Sequence, residues 1–223
     1  MRDELRAAAQ PLLDKLKDHP FFVGLRDGSL AGGALLHFAR QDADFLLPGY
    51  GRALARTAAQ AHDHAHAMVF AKMAVGTLEA RQAMAMGYDI MADQLGDGHD
   101  DSWRAVPANP VTHAYTTFLA SASASSLAEA VGALLPCSWF YIQIADDLRD
   151  RHDPGARYAE WVKALHPGDD FREVLDELLT VVDEVGERCS ADDRARLAAN
   201  FVTAARYEWS FIDAALVQLD WPV

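Results

Sequence analysis

The sequence has few of the features that cross-link a protein or direct it to a membrane. Only two of its 223 residues are cysteines, Cys137 and Cys189. Two cysteines are too few for a disulfide framework, and this usage is typical of a reducing compartment, so we expect a cytoplasmic protein. Charged residues follow Met1 directly, and no run reaches about 18 uninterrupted apolar residues. The sequence therefore predicts neither a signal peptide nor a membrane span.

Basic residues are also scarce. The chain has 20 Lys and Arg against 33 Asp and Glu, which gives a formal net charge of −13. No Lys/Arg cluster interrupts this acidic background, and no Cys/His spacing resembles a zinc finger. Because phosphate groups repel an acidic surface, we expect no binding to nucleic acid or to an anionic membrane.

Patterns typical of β-strands are absent as well. Alanine, leucine and arginine dominate, and alternating Val/Ile/Thr runs are missing, which predicts an all-α fold. Without a repeat or a linker-like segment, we expect a single domain over residues 1–223, with Gly96–Pro110 as an internal connection. The predicted helices cover residues 3–17, 31–58, 63–95, 110–150, 157–165, 170–187 and 191–219. Pro136 is expected to kink or restart the fourth of these, and Ser190 to cap the last.

Polar side chains interrupt the apolar faces of three predicted helices. Asp42 completes a stripe formed by Leu35, Phe38, Phe45 and Leu46, and Glu208 interrupts one formed by Phe201, Ala205, Phe211 and Ile212. Cys137 and Tyr141 are four residues apart and share a face with Leu134, Ile144 and Leu148.

A carboxylate on a buried face is costly unless it is paired. Two carboxylates and a cysteine on three helices therefore suggest a polar pocket inside a bundle, with Cys137 as candidate nucleophile and Glu208 or Asp42 as proton carrier or ligand clamp.

Structural interpretations of the same residues remain open from spacing alone. A free cysteine usually packs as a small apolar residue, which would give Cys137 no chemical role. Asp42 could pair with Arg40 or Arg52, and Glu208 could pair with Arg206.

A histidine cluster suggests a metal site but carries less weight. His62 and His66 are four residues apart on one helical face, with His64 between them. They lie at the polar start of a helix, and no cysteine or glutamate follows in ligand order. We therefore favour a solvated helix end over a metal centre.

Motifs at these same positions resemble the TenA, or thiaminase II, family. The similarity runs in order along nearly the whole chain, and the Leu-Pro-Cys-x-Trp-x-Tyr and Glu-x-x-Phe pieces are its most specific parts. It is carried by seven segments: His19–Phe22, Leu25–Leu30, Arg40–Leu46, Asn109–Tyr115, Ala133–Tyr141, Tyr158–Trp161 and Tyr207–Asp213.

The resemblance implies a heme-oxygenase-like helical bundle that salvages thiamin. Members of this family hydrolyse an aminomethyl-pyrimidine derived from thiamin to the hydroxymethyl-pyrimidine, and many also cleave thiamin itself. No cofactor and no metal are expected, and the family is commonly homotetrameric, with a homodimer as the second possibility.

The resemblance also assigns roles to individual residues. Cys137 matches the nucleophile and Glu208 the acid/base residue, and Asp42 matches the carboxylate that holds the aminopyrimidine edge. Two hydroxyls near the cysteine match Tyr115 and Tyr141, of which we expect Tyr141 to help form the thiolate. The aromatic wall of the pocket is expected to include Phe45 and Phe211.

Three positions depart from the family pattern. Phe45 replaces a frequent tyrosine, Leu165 stands where a pocket tyrosine is expected, and Ile212 replaces an aromatic residue. These departures leave open an enzyme of the same kind with a diverged substrate.

Two functions of a different class also stay open from the sequence. One is a non-catalytic pyrimidine-binding, thiamin-binding or regulatory protein, and the second is an oxygenase that uses haem or two irons on the same fold. An oxygenase would need a histidine or carboxylate set on facing helices, for which the sequence offers only His19 and the cluster at 62–66. Retention of both Cys137 and Glu208 favours catalysis over binding alone, because binding needs neither a nucleophile nor a proton carrier.

Overall fold

The computed structural model describes residues 1–95 and 107–223, and in these residues every regular element is a helix. This result confirms the predicted all-α fold. The helices are α1 (Arg2–Lys17), α2 (Pro20–Asp27), α3 (Gly32–Gln41), a π-helical turn (Asp42–Leu46), α4 (Leu47–Gln60), α5 (His64–Leu95), α6 (Pro110–Ser125), α7 (Leu127–Arg151), α8 (Ala159–Leu165), α9 (Asp169–Arg188) and α10 (Ala191–Leu216).

Several helix boundaries differ from the sequence-based prediction. The single helix expected over 110–150 is wrong, because Ser126 ends α6 and caps α7 by accepting a hydrogen bond from the backbone N–H of Glu129. Pro136 does not restart this helix, since α7 runs through it. Residues 31–58 divide at the π-helical turn, and α2 was not predicted. The predicted connection Gly96–Pro110 lies mostly outside the described residues.

The predicted cap at the start of the last helix is confirmed. The Ser190 hydroxyl accepts a hydrogen bond from the backbone N–H of Asp193, and it donates one to the Asp193 carboxylate. This exchange satisfies one of the free N–H groups at the start of α10. The cap defines where the helix that carries Glu208 begins.

Helix α7 forms the centre of the bundle, with α10, α6, α9 and α4 packed around it. Among the described helices it alone is long and apolar enough to cross a membrane, but 72% of its apolar window is buried inside the protein. An apolar helix that is enclosed by its neighbours is a core helix. This position explains why most of its side chains are apolar on every face.

Glycine at position 132 allows α7 and α10 to approach each other closely. A Cβ atom built on Gly132 would lie 2.2 Å from the carbonyl oxygen of Leu197 on α10. That distance is far inside van der Waals contact, and the obstructing atom is backbone that cannot rotate away. The separation of the two helices therefore depends on this glycine.

We predict that Gly132→Ala destabilises the protein by about 1–3 kcal/mol or more, since the added methyl group must push two packed helices apart. Urea denaturation measures the change. Gly76→Ala is the matched control, because nothing lies within 4 Å of its added Cβ. On an exposed helical site this control should stabilise the protein by about 0.5–1 kcal/mol. Equal effects of the two substitutions would contradict the packing argument.

Candidate active site

Glu208 of α10 is the centre of a polar cluster inside the bundle. The hydroxyl of Tyr115, on α6, donates a hydrogen bond of 2.5 Å to the Glu208 Oε1 atom. The Cys137 thiol, on α7, lies close enough to the same carboxylate for each group to affect the pKa of the other. Three helices that are distant in sequence thus bring one group each to a single point.

Burial changes the acidity of both Glu208 and Cys137. Desolvation raises the pKa of Glu208 to about 7, while the hydrogen bond from Tyr115 and the neighbouring Cys137 thiol lower it in part. The pKa of the Cys137 thiol is raised well above its usual value, first by desolvation and then by the negative charges of Glu208 and Asp42. At neutral pH the thiol therefore keeps its proton, and Glu208 lies near the midpoint of its titration.

Asp42 is the second carboxylate of the cluster and begins the π-helical turn. It is buried, with 9% of its surface exposed. Desolvation and the neighbouring charge of Glu208 together raise its pKa to about 7. Of the two arginines considered from the sequence, Arg40 pairs with Asp44 at 3.5 Å, and no ion pair joins Asp42 to Arg52 in the described part of the chain. Asp42 is thus a buried acid whose pKa is set by desolvation and by the neighbouring Glu208.

The π-helical turn accounts for the placement of Asp42. A π-helical turn accommodates one extra residue in a helix and is frequent at functional sites. Here it separates α3 from α4 and carries both Asp42 and the half-buried Phe45. Periodicity of 3.6 residues could not reveal this irregularity.

Tyr141 and Phe211 lie on the same helices as the reactive groups. The Tyr141 hydroxyl donates to the backbone carbonyl of Leu165, and its pKa is raised by burial and by the charges of Asp42 and Cys137. Phe211 is buried one turn after Glu208 and packs edge-on against Phe38, with their ring centres 5.8 Å apart. Leu165 therefore contributes its backbone, not its side chain, to the contact with Tyr141.

Tyr50 of α4 was not predicted from the sequence. Its hydroxyl lies 3.0 Å from the Leu134 carbonyl and 2.7 Å from the Ser138 hydroxyl, next to Cys137. Tyr50 continues the apolar stripe four residues after Leu46 and three before Ala53. The signal available in the sequence was a side chain with a hydroxyl group on that apolar stripe.

The prediction of a solvated histidine cluster is wrong for His66. This side chain is buried with 6% of its surface exposed, and its Nε2 atom lies 2.9 Å from the Glu184 carboxylate on α9. His66 therefore joins α5 to α9. Within residues 1–95 and 107–223, no three His, Cys, Asp or Glu side chains are grouped as metal ligands.

We predict that the Asp42 and Glu208 carboxyls make the protein less stable as the pH rises. A raised pKa means that folded Asp42 and Glu208 hold protons which the unfolded chain has released, so stability falls between pH 4 and about 7. Urea denaturation of wild type and Asp42→Asn across this range isolates the Asp42 contribution. The difference in unfolding free energy should fall by up to about 1.4 kcal/mol per pH unit. Parallel curves would show that Asp42 titrates normally.

Two bacterial proteins are similar to this chain over nearly its whole length. The chain is 32% identical to the aminopyrimidine aminohydrolase of Halalkalibacterium halodurans, over 96% of this chain and 94% of the relative. It is 29% identical to the aminopyrimidine aminohydrolase of Bacillus subtilis, over 98% of this chain and 91% of the relative.

Solved structures share the fold over nearly the whole chain. A TenA family transcription regulator from Silicibacter sp. TM1040 superposes with a TM-score of 0.76 at 27% identity, covering 96% of this chain and 95% of its own. A TenA-like protein from Sulfolobus solfataricus, at 20% identity, shows the same fold with a TM-score of 0.77, covering 98% of this chain and 96% of its own. Residues 6–218 match the TENA/THI-4/PQQC family. The chain belongs to this family.

Proposed function

We propose that this protein is an aminopyrimidine aminohydrolase of thiamin salvage, which replaces the amino group of an aminomethyl-pyrimidine by a hydroxyl group. The observation that carries the proposal is the Glu208 carboxylate, which accepts a hydrogen bond from the Tyr115 hydroxyl and neighbours the Cys137 thiol. A nucleophile in direct contact with a proton carrier is an arrangement that binding alone does not need. The names of the two bacterial relatives support the same activity.

Asp42 is proposed to bind the substrate. An aminopyrimidine presents a ring nitrogen and an amino group side by side on one edge, and a carboxyl group can engage both. Asp42 has a pKa of about 7, so it can accept a hydrogen bond from the amino group or donate one to the ring nitrogen. Phe45 and Phe211 are proposed to enclose the flat ring, because aromatic faces pack well against it.

Glu208 is proposed to move the protons. It accepts the proton of the Cys137 thiol, and the sulfur then bonds to a carbon of the pyrimidine ring. Glu208 next donates this proton to the aminomethyl nitrogen, the C–N bond breaks, and ammonia leaves. Water adds to the remaining methylene carbon and gives a proton to Glu208. The C–S bond then breaks with its electron pair left on sulfur, and Glu208 returns that proton to the Cys137 thiolate. A pKa of about 7 suits a group that acts in both directions.

The two tyrosines are proposed to support these steps in different ways. Tyr115 is buried and already donates to Glu208, so it orients the carboxylate toward the thiol. The Tyr141 hydroxyl must leave the Leu165 carbonyl before it can act on the thiol or on the substrate. In the present arrangement, Glu208 is the acceptor of the thiol proton.

The departures from the family pattern affect the wall of the pocket and not its reactive groups. Phe45 retains an aromatic face but no hydroxyl, and Leu165 offers no side-chain donor. Ile212 is buried with 5% of its surface exposed and belongs to the core. We propose that the walls of this pocket make fewer hydrogen bonds to the pyrimidine than the family pattern would provide. Recognition of the pyrimidine then depends on Asp42.

We also propose a homotetrameric or homodimeric protein of the cytoplasm. Met68, Val75 and Leu78 expose 60%, 58% and 45% of their surfaces along one face of α5. Apolar side chains at this spacing form a continuous stripe on a helix, and such stripes are often covered by a second subunit. Light scattering of the purified protein measures its mass in solution.

The test of the proposed activity is incubation with 4-amino-5-aminomethyl-2-methylpyrimidine and, separately, with thiamin. We expect release of ammonia and the hydroxymethyl-pyrimidine from the first compound, and no turnover by Cys137→Ser, because an unactivated hydroxyl is a far poorer nucleophile than a thiolate. Cys189→Ser is the matched control and should retain full activity, since the Cys189 thiol lies at the end of α9 and donates to the Gly186 carbonyl of the same helix. Binding of the pyrimidine without turnover would identify a non-catalytic binding protein.

We predict that Glu208→Gln lowers kcat by roughly 10²–10⁴-fold, the usual effect of losing a general acid–base group. The amide oxygen still accepts from Tyr115, so the fold and KM should change little. Kinetics measured between pH 5 and 9 should show a limb near pH 7 in wild type that the variant lacks. A variant with wild-type kcat would remove Glu208 from the chemistry, and a variant that unfolds but retains its rate per folded molecule would make it structural.

A further inference from the structure

We propose that Tyr50 is a positioning residue for Cys137 in the reaction described above. Its hydroxyl group braces the turn of α7 that carries the thiol. The inference rests on the proposed function for its kinetic consequence, and on hydrogen-bond geometry for the bracing itself.

The turn that carries Cys137 lacks a backbone hydrogen bond. Pro136 has no N–H, so it cannot donate to the carbonyl of Gly132, its partner in a regular helix. The proline lies inside α7, directly before the thiol. Because an interrupted hydrogen-bond ladder allows a helix to bend, this turn is the place where α7 can move most easily.

Tyr50 supplies a cross-brace over the same turn. Leu134 and Ser138 lie on either side of Pro136 and Cys137, and the Tyr50 oxygen is within 3.0 Å and 2.7 Å of their respective oxygen atoms. The Leu134 carbonyl can only accept, so Tyr50 donates to it and accepts from the Ser138 hydroxyl. The hydroxyl oxygen of Tyr50 thus takes part in both hydrogen bonds.

Burial makes this brace strong. Tyr50 and Ser138 expose only 3% and 4% of their surfaces, so water does not compete for either hydrogen bond. Tyr50 belongs to α4, whose preceding turn carries Asp42. The two hydrogen bonds of Tyr50 therefore also fix the distance from α4, and from the Asp42 turn before it, to the turn of α7 that carries Cys137.

The test is Tyr50→Phe in a Cys189→Ser background, which leaves Cys137 as the one cysteine that iodoacetamide can modify. We expect kcat on the aminopyrimidine to fall roughly 10- to 100-fold with KM within about twofold, because a misplaced reacting atom costs rate more than binding. The pH midpoint of Cys137 alkylation should shift downward. A loosened turn admits water to the thiol and moves it away from the Glu208 charge, and desolvation and that charge are the main reasons why the pKa of the thiol is raised.

Tyr158→Phe is the matched control. Tyr158 is also buried, with 3% of its surface exposed, and its hydroxyl donates to the backbone carbonyl of Leu30 at 2.7 Å. This variant should lose comparable stability and keep the wild-type kcat and alkylation midpoint. If Tyr50→Phe behaves in the same way as Tyr158→Phe, Tyr50 is only a packing residue and the proposal is overturned.

A second variant keeps the proposal testable if Tyr50→Phe does not fold. Ser138→Ala removes the Ser138–Tyr50 hydrogen bond and leaves the one to Leu134, so it should shift the alkylation midpoint in the same direction by a smaller amount. An unchanged midpoint would overturn the proposal. Alkylation needs no turnover, so a wild-type protein that is inactive on the aminopyrimidine would disprove the proposed function while these midpoints still decide the role of Tyr50.

Discussion

The close approach of α7 and α10 is the constraint on which the rest of the structure depends. Gly132 lets the backbone of α7 lie against the Leu197 carbonyl of α10. The same two helices carry the Cys137 thiol and the Glu208 carboxylate, which affect each other's pKa. The same packing that fills the core thus also brings the Cys137 thiol next to the Glu208 carboxylate.

The polar cluster is costly for folding, and its members reduce that cost in distinct ways. Glu208 accepts a hydrogen bond from Tyr115, whereas Asp42 relies on protonation, because its pKa is raised to about 7. Ionisable groups that are withdrawn from water and carry shifted pKa values cluster at functional sites, since an apolar core would be more stable. The cluster is therefore better explained as a site than as part of the core.

Family membership and the contacts of the cluster describe the protein at different levels. Membership of the TENA/THI-4/PQQC family rests on residues 6–218 taken together. The proposed roles of Cys137, Glu208 and Asp42 rest on contacts and acidity within this chain. The π-helical turn at Asp42–Leu46 and the brace from Tyr50 are details of this structure that a family relationship alone does not describe.

The sequence by itself determined the all-α fold and the three polar positions on apolar faces, because helical periodicity and the cost of buried charge are local properties. It could not predict the break at Ser126, where α6 ends and the Ser126 side chain caps the start of α7. Nor could it predict the π-helical turn before α4. Only the tertiary structure decided that Cys137 and Tyr115 meet at Glu208 while Tyr141 donates to Leu165. Such partners are far apart in the chain, and their meeting is set by how the helices pack.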